Sequence, residues 1–319
     1  MQLNPLGRTG LQLSALGFGA APLGQVYGEQ SPQTAQRSVH LAIDHGINFF
    51  DVSPYYGDTL AETVLGQALQ GRREQVVLAT KCGRYGVDTF DFSAARIRQS
   101  IEESLVRLQT DHVDLLQAHD IEFADPRQII EETIPTLRQL QAEGKTRFIG
   151  ITGYPPPVLL QVAQAAPVDS VLSYCHYTLL GTLLAEELAP FAQQTGLGLI
   201  NASPLSMGLL TNAGPPPWHP ASPELQQLSR QIAALCSEHG VDIATIALQF
   251  SVSAPGVAST LVGMRTEEEF LANLKAMEHA PDPNLVATIQ AAVAASGIPT
   301  TWPSGLPQAW LPAHRQPAR

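Results

Sequence analysis

Four side chains capable of proton chemistry stand at or just beyond the ends of apolar runs in this 319-residue chain. Asp51 follows Ile47–Phe50, Lys81 follows Val76–Thr80, and His119 follows Val113–Gln117. Tyr56 lies in the loop after Asp51, within Pro54-Tyr55-Tyr56-Gly57. A tyrosine hydroxyl has an ordinary pKa of about 10, too high for an efficient base near neutrality. A neighbouring ammonium favours the phenolate, so a lysine beside it lowers that barrier. An aspartate can hold the lysine and keep it charged, while a histidine can orient a substrate oxygen and help share its proton. Each residue alone has a plainer explanation as a cap, a rim charge or a satisfied core histidine. Three strand ends and an adjacent tyrosine together point to a proton-transfer site.

The elements that must position these groups are short, nearly unbroken apolar runs, as expected of parallel strands covered on both faces. They are Leu16–Gly19, Ile47–Phe50, Val76–Thr80, Val113–Gln117, Phe148–Ile151, Ser170–Tyr174, Gly198–Asn201 and Ser259–Val262. Between them lie amphipathic helices with readable ends. Ser93 starts one with Ile97, Ile101, Leu105 and Leu108 on a single stripe. Asp125-Pro126 starts another that Gly144 closes, and Ser222-Pro223 a third that stops at Gly240. Eight strands alternating with helices predict an α/β fold, a (β/α)8 TIM barrel, in which catalytic groups gather at the C-terminal strand ends. The expectation is one barrel domain over residues 1–319, with 299–319 as a C-terminal loop and tail. A β-hairpin around Gly7-Arg8-Thr9-Gly10 precedes it and would plug the bottom. Extended loops are expected at the C-terminal face, from the Pro-rich stretch 213–223 and the tail from Gly297; they read equally well as lids or as stiff connectors. Gly17-Phe18-Gly19-Ala20-Ala21-Pro22 begins like a dinucleotide fingerprint, but proline replaces its third glycine, which argues against a Rossmann domain.

Composition narrows the function classes. A net charge of −11 argues against nucleic acid and anionic membranes, both of which select basic surfaces. No apolar run is long enough to span a bilayer, and the first residues show neither a basic nor an apolar leader segment. Three scattered cysteines, Cys82, Cys175 and Cys236, suit buried thiols in a reducing compartment, so a cytoplasmic protein is expected. The nine histidines show no metal-ligand spacing, and no metal is expected.

With these residues in view, the chain resembles the aldo-keto reductase superfamily along nearly its whole length. Asp51-Val52-Ser53-Pro54-Tyr55-Tyr56-Gly57 is similar to that family's Asp-x-x-x-x-Tyr-Gly segment, Ala79-Thr80-Lys81 to its strand-three lysine, and Asp114 through His119 to its strand-four histidine. The resemblance implies NAD(P)-dependent oxidoreduction with Asp51, Tyr56, Lys81 and His119 as the catalytic tetrad. It also implies cofactor contacts. Ser203, Pro204, Leu205, Ser206 and Gly208 resemble the pyrophosphate loop, and Gly263, Met264, Arg265, Glu269 and Asn273 the adenosine-binding segment. Thr152-Gly153 stands where many members carry Ser-Asn, and Tyr174 where glutamine is usual; Thr152 and Tyr177 are the remaining nicotinamide candidates. Lysine and a hydroxyl residue commonly recognise a 2′-phosphate where Gly263 and Met264 stand, and arginine where Glu269 stands. NAD is therefore the expected cofactor and NADP the alternative, with Arg265 the residue that favours the latter.

A narrower likeness, to the L-galactose dehydrogenase family, covers residues 49–57, 80–85, 118–123, 144–153, 172–177, 216–225 and 301–305. It implies oxidation of a sugar at C1 to its 1,4-lactone, in carbohydrate metabolism and ascorbate biosynthesis. The substrate-binding candidates it implies are Tyr56, His119, Asp120, His176, Trp218, His219 and Trp302. Families acting on L-fucose and other aldoses, NADPH-dependent reductases and, less well, a non-enzymatic cofactor-sensing barrel share parts of the pattern. The expected partner is a small sugar, and the expected state a monomer or weak homo-oligomer.

Overall fold

A computed structural model describes residues 1–306 and Trp310. Most of the expected 299–319 tail past Leu306 thus lies outside the described residues. Two strands, β1 (Leu3–Pro5) and β2 (Gln12–Ser14), form an antiparallel hairpin with Leu3 opposite Ser14. Eight more close a barrel in the order β10-β3-β4-β5-β6-β7-β8-β9. They are β3 (Leu16–Gly19), β4 (Phe49–Asp51), β5 (Val77–Cys82), β6 (Val113–Ala118), β7 (Thr146–Gly153), β8 (Ser170–Tyr174), β9 (Gly198–Ala202) and β10 (Val257–Gly263). All eight pairings are parallel, and closure is made by Thr260 of β10 opposite Leu16 of β3.

Two apolar layers explain the near-continuous hydrophobicity of the strands. One lies between the barrel and its helices. The other fills the barrel, where Phe49, Ala79, Leu115, Leu172, Ile200 and Leu261 meet Leu6, Leu11 and Leu13 of the hairpin segment. The hairpin is a plug, as its sequence suggests. The expected helix starts are present: Ser93 accepts a hydrogen bond from Arg96 N, Asp125 from Arg127 N and Ser222 from Leu225 N.

Several boundaries differ from the sequence expectation. Asp51 is the last residue of β4 and Lys81 the penultimate residue of β5, so both lie inside strands rather than after them. Apolar runs underestimate strands at the barrel mouth because ladder pairing continues into polar residues. The helix expected from Pro126 to Gly144 is interrupted by a π-helical turn at Ile129–Thr133, just before Pro135. A second π turn, Leu184–Leu188, precedes Pro190. Proline has no N–H for the regular helical bond and its ring crowds the carbonyl four residues back, so a widened turn accommodates it. Between β9 and β10 the sequence shows one helical stripe, yet the chain forms two helices, Pro223–Glu238 and Ile243–Val252. The second is apolar nearly all round, which erases the periodic signal.

Candidate active site

The barrel registers bring the tetrad candidates together. Asp51 of β4 pairs with Ala79 of β5, and Lys81 of β5 with Gln117 of β6, so three polar groups meet at adjacent strand ends. The Lys81 ammonium donates to Asp51 Oδ1, to the Val52 carbonyl at 3.0 Å and to the Tyr56 hydroxyl at 3.2 Å. That accounts for all three of its protons. Gln117 Nε2 donates to the other oxygen of Asp51 at 2.9 Å. Burial works against the Lys81 charge, but Asp51 and Tyr56 offset it, and the lysine pKa lies above its ordinary value. Lys81 is therefore an ammonium.

Tyr56 is aimed by its backbone. Gly57 has φ +63°, a left-handed conformation, and a Cβ there would lie 2.1 Å from the Gly24 carbonyl oxygen. Only a residue without a side chain lets the tyrosine loop pack on the turn after β3. The phenol meets the His119 ring edge-on, with centroids 5.8 Å apart. Its pKa differs from the sequence expectation. Burial raises it, and the lowering by Lys81 does not cancel that rise, so the group rests as a phenol.

His119 follows β6 directly and is buried. Burial, then Lys81 and Arg84, depress its pKa well below the usual imidazole range, leaving it neutral. Its Nδ1 lies 3.0 Å from Ser53 Oγ, and its Nε2 3.7 Å from Asp120 Oδ2. Asp120 adopts a left-handed backbone at φ +55° and pairs with Arg84, whose guanidinium lies 3.9 Å from the Tyr55 ring centre.

Around this core stands an aromatic wall. Tyr154 lies 4.3 Å from His176 and 4.9 Å from Trp302, ring to ring, the latter pair stacked. Trp302 N donates to the Tyr154 hydroxyl at 3.2 Å. Burial lowers His176 to about 4, so it too is neutral. The tail is anchored rather than loosely draped. Glu122 Oε1 accepts from Ser304 Oγ at 2.9 Å, and its carbonyl accepts from Leu306 N at 2.8 Å and Trp310 Nε1 at 3.1 Å. The Pro-rich loop is pinned as well. His219 Nε2 donates to the Ser206 carbonyl at 3.0 Å, and its Nδ1 accepts from Ala221 N at 3.0 Å. Both His219 nitrogens are thus committed to the loop, and only its ring faces Trp302. Trp218 is half exposed and meets Tyr27 from the opposite loop at 6.0 Å.

The remaining candidates lie at the ends of β7 and β10 and in the segments after β8, β9 and β10. Ser203, Ser206 and Met207 all have positive φ, a concentration of backbone strain of the kind that marks ligand-holding loops. Pro204 and Ser206 are buried, Leu205 and Gly208 partly so. Thr152 Oγ1 accepts from Asp120 N at 3.2 Å and keeps its own proton to donate. One face of Tyr177 is stacked on Phe250, and its carbonyl accepts from Asn201 Nδ2 at 3.2 Å. Asn201 Oδ1 is buried without a partner among the described residues, an acceptor that fits a carboxamide. Gly263 ends β10 exposed, Met264 is fully buried, and Asn273 sits half-buried on the helix Glu267–Ala276. Arg265 donates from Nε and Nη2 to Glu269 Oε1 at 3.0 and 2.6 Å, and from Nη1 to the Tyr27 carbonyl at 2.6 Å.

Ser53, Arg84, Gln117, Tyr154 and Asn201 are absent from the sequence candidates. Gln117 and Asn201 end apolar runs and carried the same signal as Lys81; the others are visible only through their partners. Among the described residues no helix is long and apolar enough to cross a membrane, and no three metal-ligating side chains are grouped.

Known proteins place this geometry. The pattern of the Aldo/keto reductase family matches residues 15–294. The chain is 48% identical to L-galactose dehydrogenase of Arabidopsis thaliana, covering 97% of this chain and 99% of that protein. It is 31% identical to D-arabinose 1-dehydrogenase of Saccharomyces cerevisiae, over 92% of this chain and 95% of that one. Among solved structures, an aldo-keto reductase, AKR11C1 from Bacillus halodurans in its holo form, superposes with a TM-score of 0.76 at 28% identity, over 94% of this chain and 97% of that one. The chain belongs to the aldo/keto reductase family of oxidoreductases.

Proposed function

We propose that the chain oxidises L-galactose at C1 to L-galactono-1,4-lactone with NAD. The observation that carries this reading is the near-full-length identity of 48% to an L-galactose dehydrogenase, joined to an intact Asp51–Lys81–Tyr56–His119 constellation. Aldo-keto reductases use nicotinamide cofactors, and a bound nicotinamide supplies the hydride acceptor. The protein manages one proton. As the C1–H bond gives up its electron pair as hydride, the C1 hydroxyl passes its proton to the phenolate form of Tyr56, which becomes a phenol. Lys81 stabilises that phenolate before the transfer, and Asp51 with Gln117 holds the lysine in place. His119 hydrogen-bonds the reacting oxygen. Asp120, His176 and Trp302 are the proposed sugar contacts, with Trp218 at the rim. His219 holds the loop that carries Trp218.

NAD preference has support from Arg265. A 2′-phosphate would need its guanidinium, but Glu269 and the Tyr27 carbonyl already engage that fork. Glu269 therefore acts first by occupying Arg265, and only second by repelling phosphate.

Similarity to a yeast D-arabinose 1-dehydrogenase favours a second reading, a broader aldose 1-dehydrogenase. Initial rates on L-galactose, L-fucose, L-gulose and D-galactose with NAD and NADP separate the two. Highest kcat/KM on L-galactose with NAD is expected. An equal or higher value on L-fucose would install the broader reading, and absence of turnover on every sugar would remove both.

A further inference from the structure

Ser53 is fully buried beside His119, and its hydrogen bonds restrict what the imidazole can be. The Ser53 oxygen already accepts from Tyr55 N at 3.1 Å. A hydroxyl has one proton to give and two lone pairs. If His119 Nδ1 carried the ring proton and donated to Ser53, the serine would accept twice. Its own proton would then have no acceptor among the described residues. A buried hydrogen-bonding group left unmatched disfavours that arrangement by roughly tenfold or more. The reverse arrangement satisfies both groups: Ser53 donates to Nδ1, and the ring proton sits on Nε2.

The opposite side of the ring gives an independent indication. Asp120 Oδ2 lies 3.7 Å from Nε2, and a carboxylate there favours an N–H over a lone pair. The doubly protonated ring is opposed by burial and by the charges of Lys81 and Arg84.

We propose that Ser53 is a positioning residue that holds His119 in its Nε2–H tautomer, making His119 a donor to the reacting oxygen and leaving Tyr56 as the sole acceptor of the substrate proton. The proposal rests on the oxidation described above. In that reaction the C1–H electron pair leaves as hydride to the nicotinamide and the O–H proton passes to the Tyr56 oxygen. A neutral Nε2–H ring has no lone pair facing the substrate, so it stabilises charge developing on the oxygen without taking the proton.

The test uses the full chain labelled with 15N-histidine, in which His119→Asn identifies the His119 signals. Long-range proton–nitrogen correlations should show Nε2 protonated and Nδ1 bare. In Ser53→Ala the ring should become a mixture of tautomers. Its kcat for L-galactose with NAD should fall by about tenfold or more, with KM and dinucleotide affinity little changed; a mis-set tautomer in a serine protease costs up to about 10⁴. Ser53→Thr, which keeps the hydroxyl, should restore the parent tautomer. A parent ring protonated at Nδ1, or an unaltered kcat in Ser53→Ala, overturns the proposal. Because the spectrum needs no turnover, it is read even if L-galactose proves not to be the substrate.

Discussion

The ammonium of Lys81 lies 3.2 Å from the Tyr56 hydroxyl while its other two protons are held by Asp51 and the Val52 carbonyl. The lysine cannot swing away from the phenol without breaking buried bonds. Its charge is therefore a fixed part of the tyrosine's surroundings.

Tyr56→Phe removes only the hydroxyl. It should preserve dinucleotide binding and reduce kcat by about 10²–10⁴-fold, the usual contribution of an acid–base group. Near-parental turnover on the best sugar would remove Tyr56 from the proposed mechanism. Lys81→Met should lose turnover as well, and its residual activity should need higher pH.

Burial raises the Tyr56 pKa against the pull of Lys81, whereas His119 is depressed well below its usual range. The base form of the tyrosine therefore grows as pH rises, and His119 contributes no titration near neutrality. Single-turnover oxidation rates should climb from about neutrality toward about pH 10, where phenols ordinarily ionise. A rate that is flat, or that peaks and falls across this span, contradicts the assignment.

Freeing Arg265 should admit NADP. Glu269→Gln removes the carboxylate that binds Nε and Nη2, so kcat/KM with NADP should rise while that with NAD changes little. A charge interaction of about 1 kcal/mol in water corresponds to roughly fivefold. Adding Arg265→Ser to that variant should abolish the gain. Persistence of the gain would mean that another group reads the phosphate.

Glu122 titrates in an unusual window. Burial first, and then the nearby Asp120 charge, raise its pKa from 4.5 to about 8. The folded state thus binds a proton that the unfolded chain releases at lower pH. The associated stability is fully present below about 4.5 and is lost as pH rises through about 8. Glu122→Gln keeps an acceptor for Tyr154 N and Ser304 Oγ without the charge. Above about pH 8 this variant should melt higher than its parent, and the advantage should shrink toward acid. Equal melting temperatures at all pH values would show that the carboxyl is already free to ionise.

Gly57→Ala should cost about 1–3 kcal/mol from the left-handed backbone alone, and more from the 2.1 Å approach to the Gly24 oxygen. Turnover should fall further than stability suggests, because the strain is relieved by moving Tyr56. Chemical denaturation and kcat measured on the same preparation check both.

The alternation of apolar runs with amphipathic stripes determined the barrel, because strand and helix periodicities follow from backbone geometry and are written locally. Asp51, Lys81 and His119 were legible for the same reason: each interrupts or ends a run whose apolar character has an obvious cause. What those side chains touch was not legible. Ser53 and His119 are 66 positions apart, as are Gln117 and Asp51. Only barrel closure sets such pairs at hydrogen-bonding distance, and no local periodicity encodes it. The Tyr56 ionisation illustrates the limit. Its neighbour Lys81 could be inferred from strand order and gave the right sign for that one interaction, yet the direction of the net shift depends on how completely water is excluded. Arg265 and Glu269 likewise read as opposing contributions to phosphate binding, and only their mutual geometry shows that one occupies the other. A residue's type sets what it can donate or accept; the folded neighbourhood decides which of those capacities is left for a substrate.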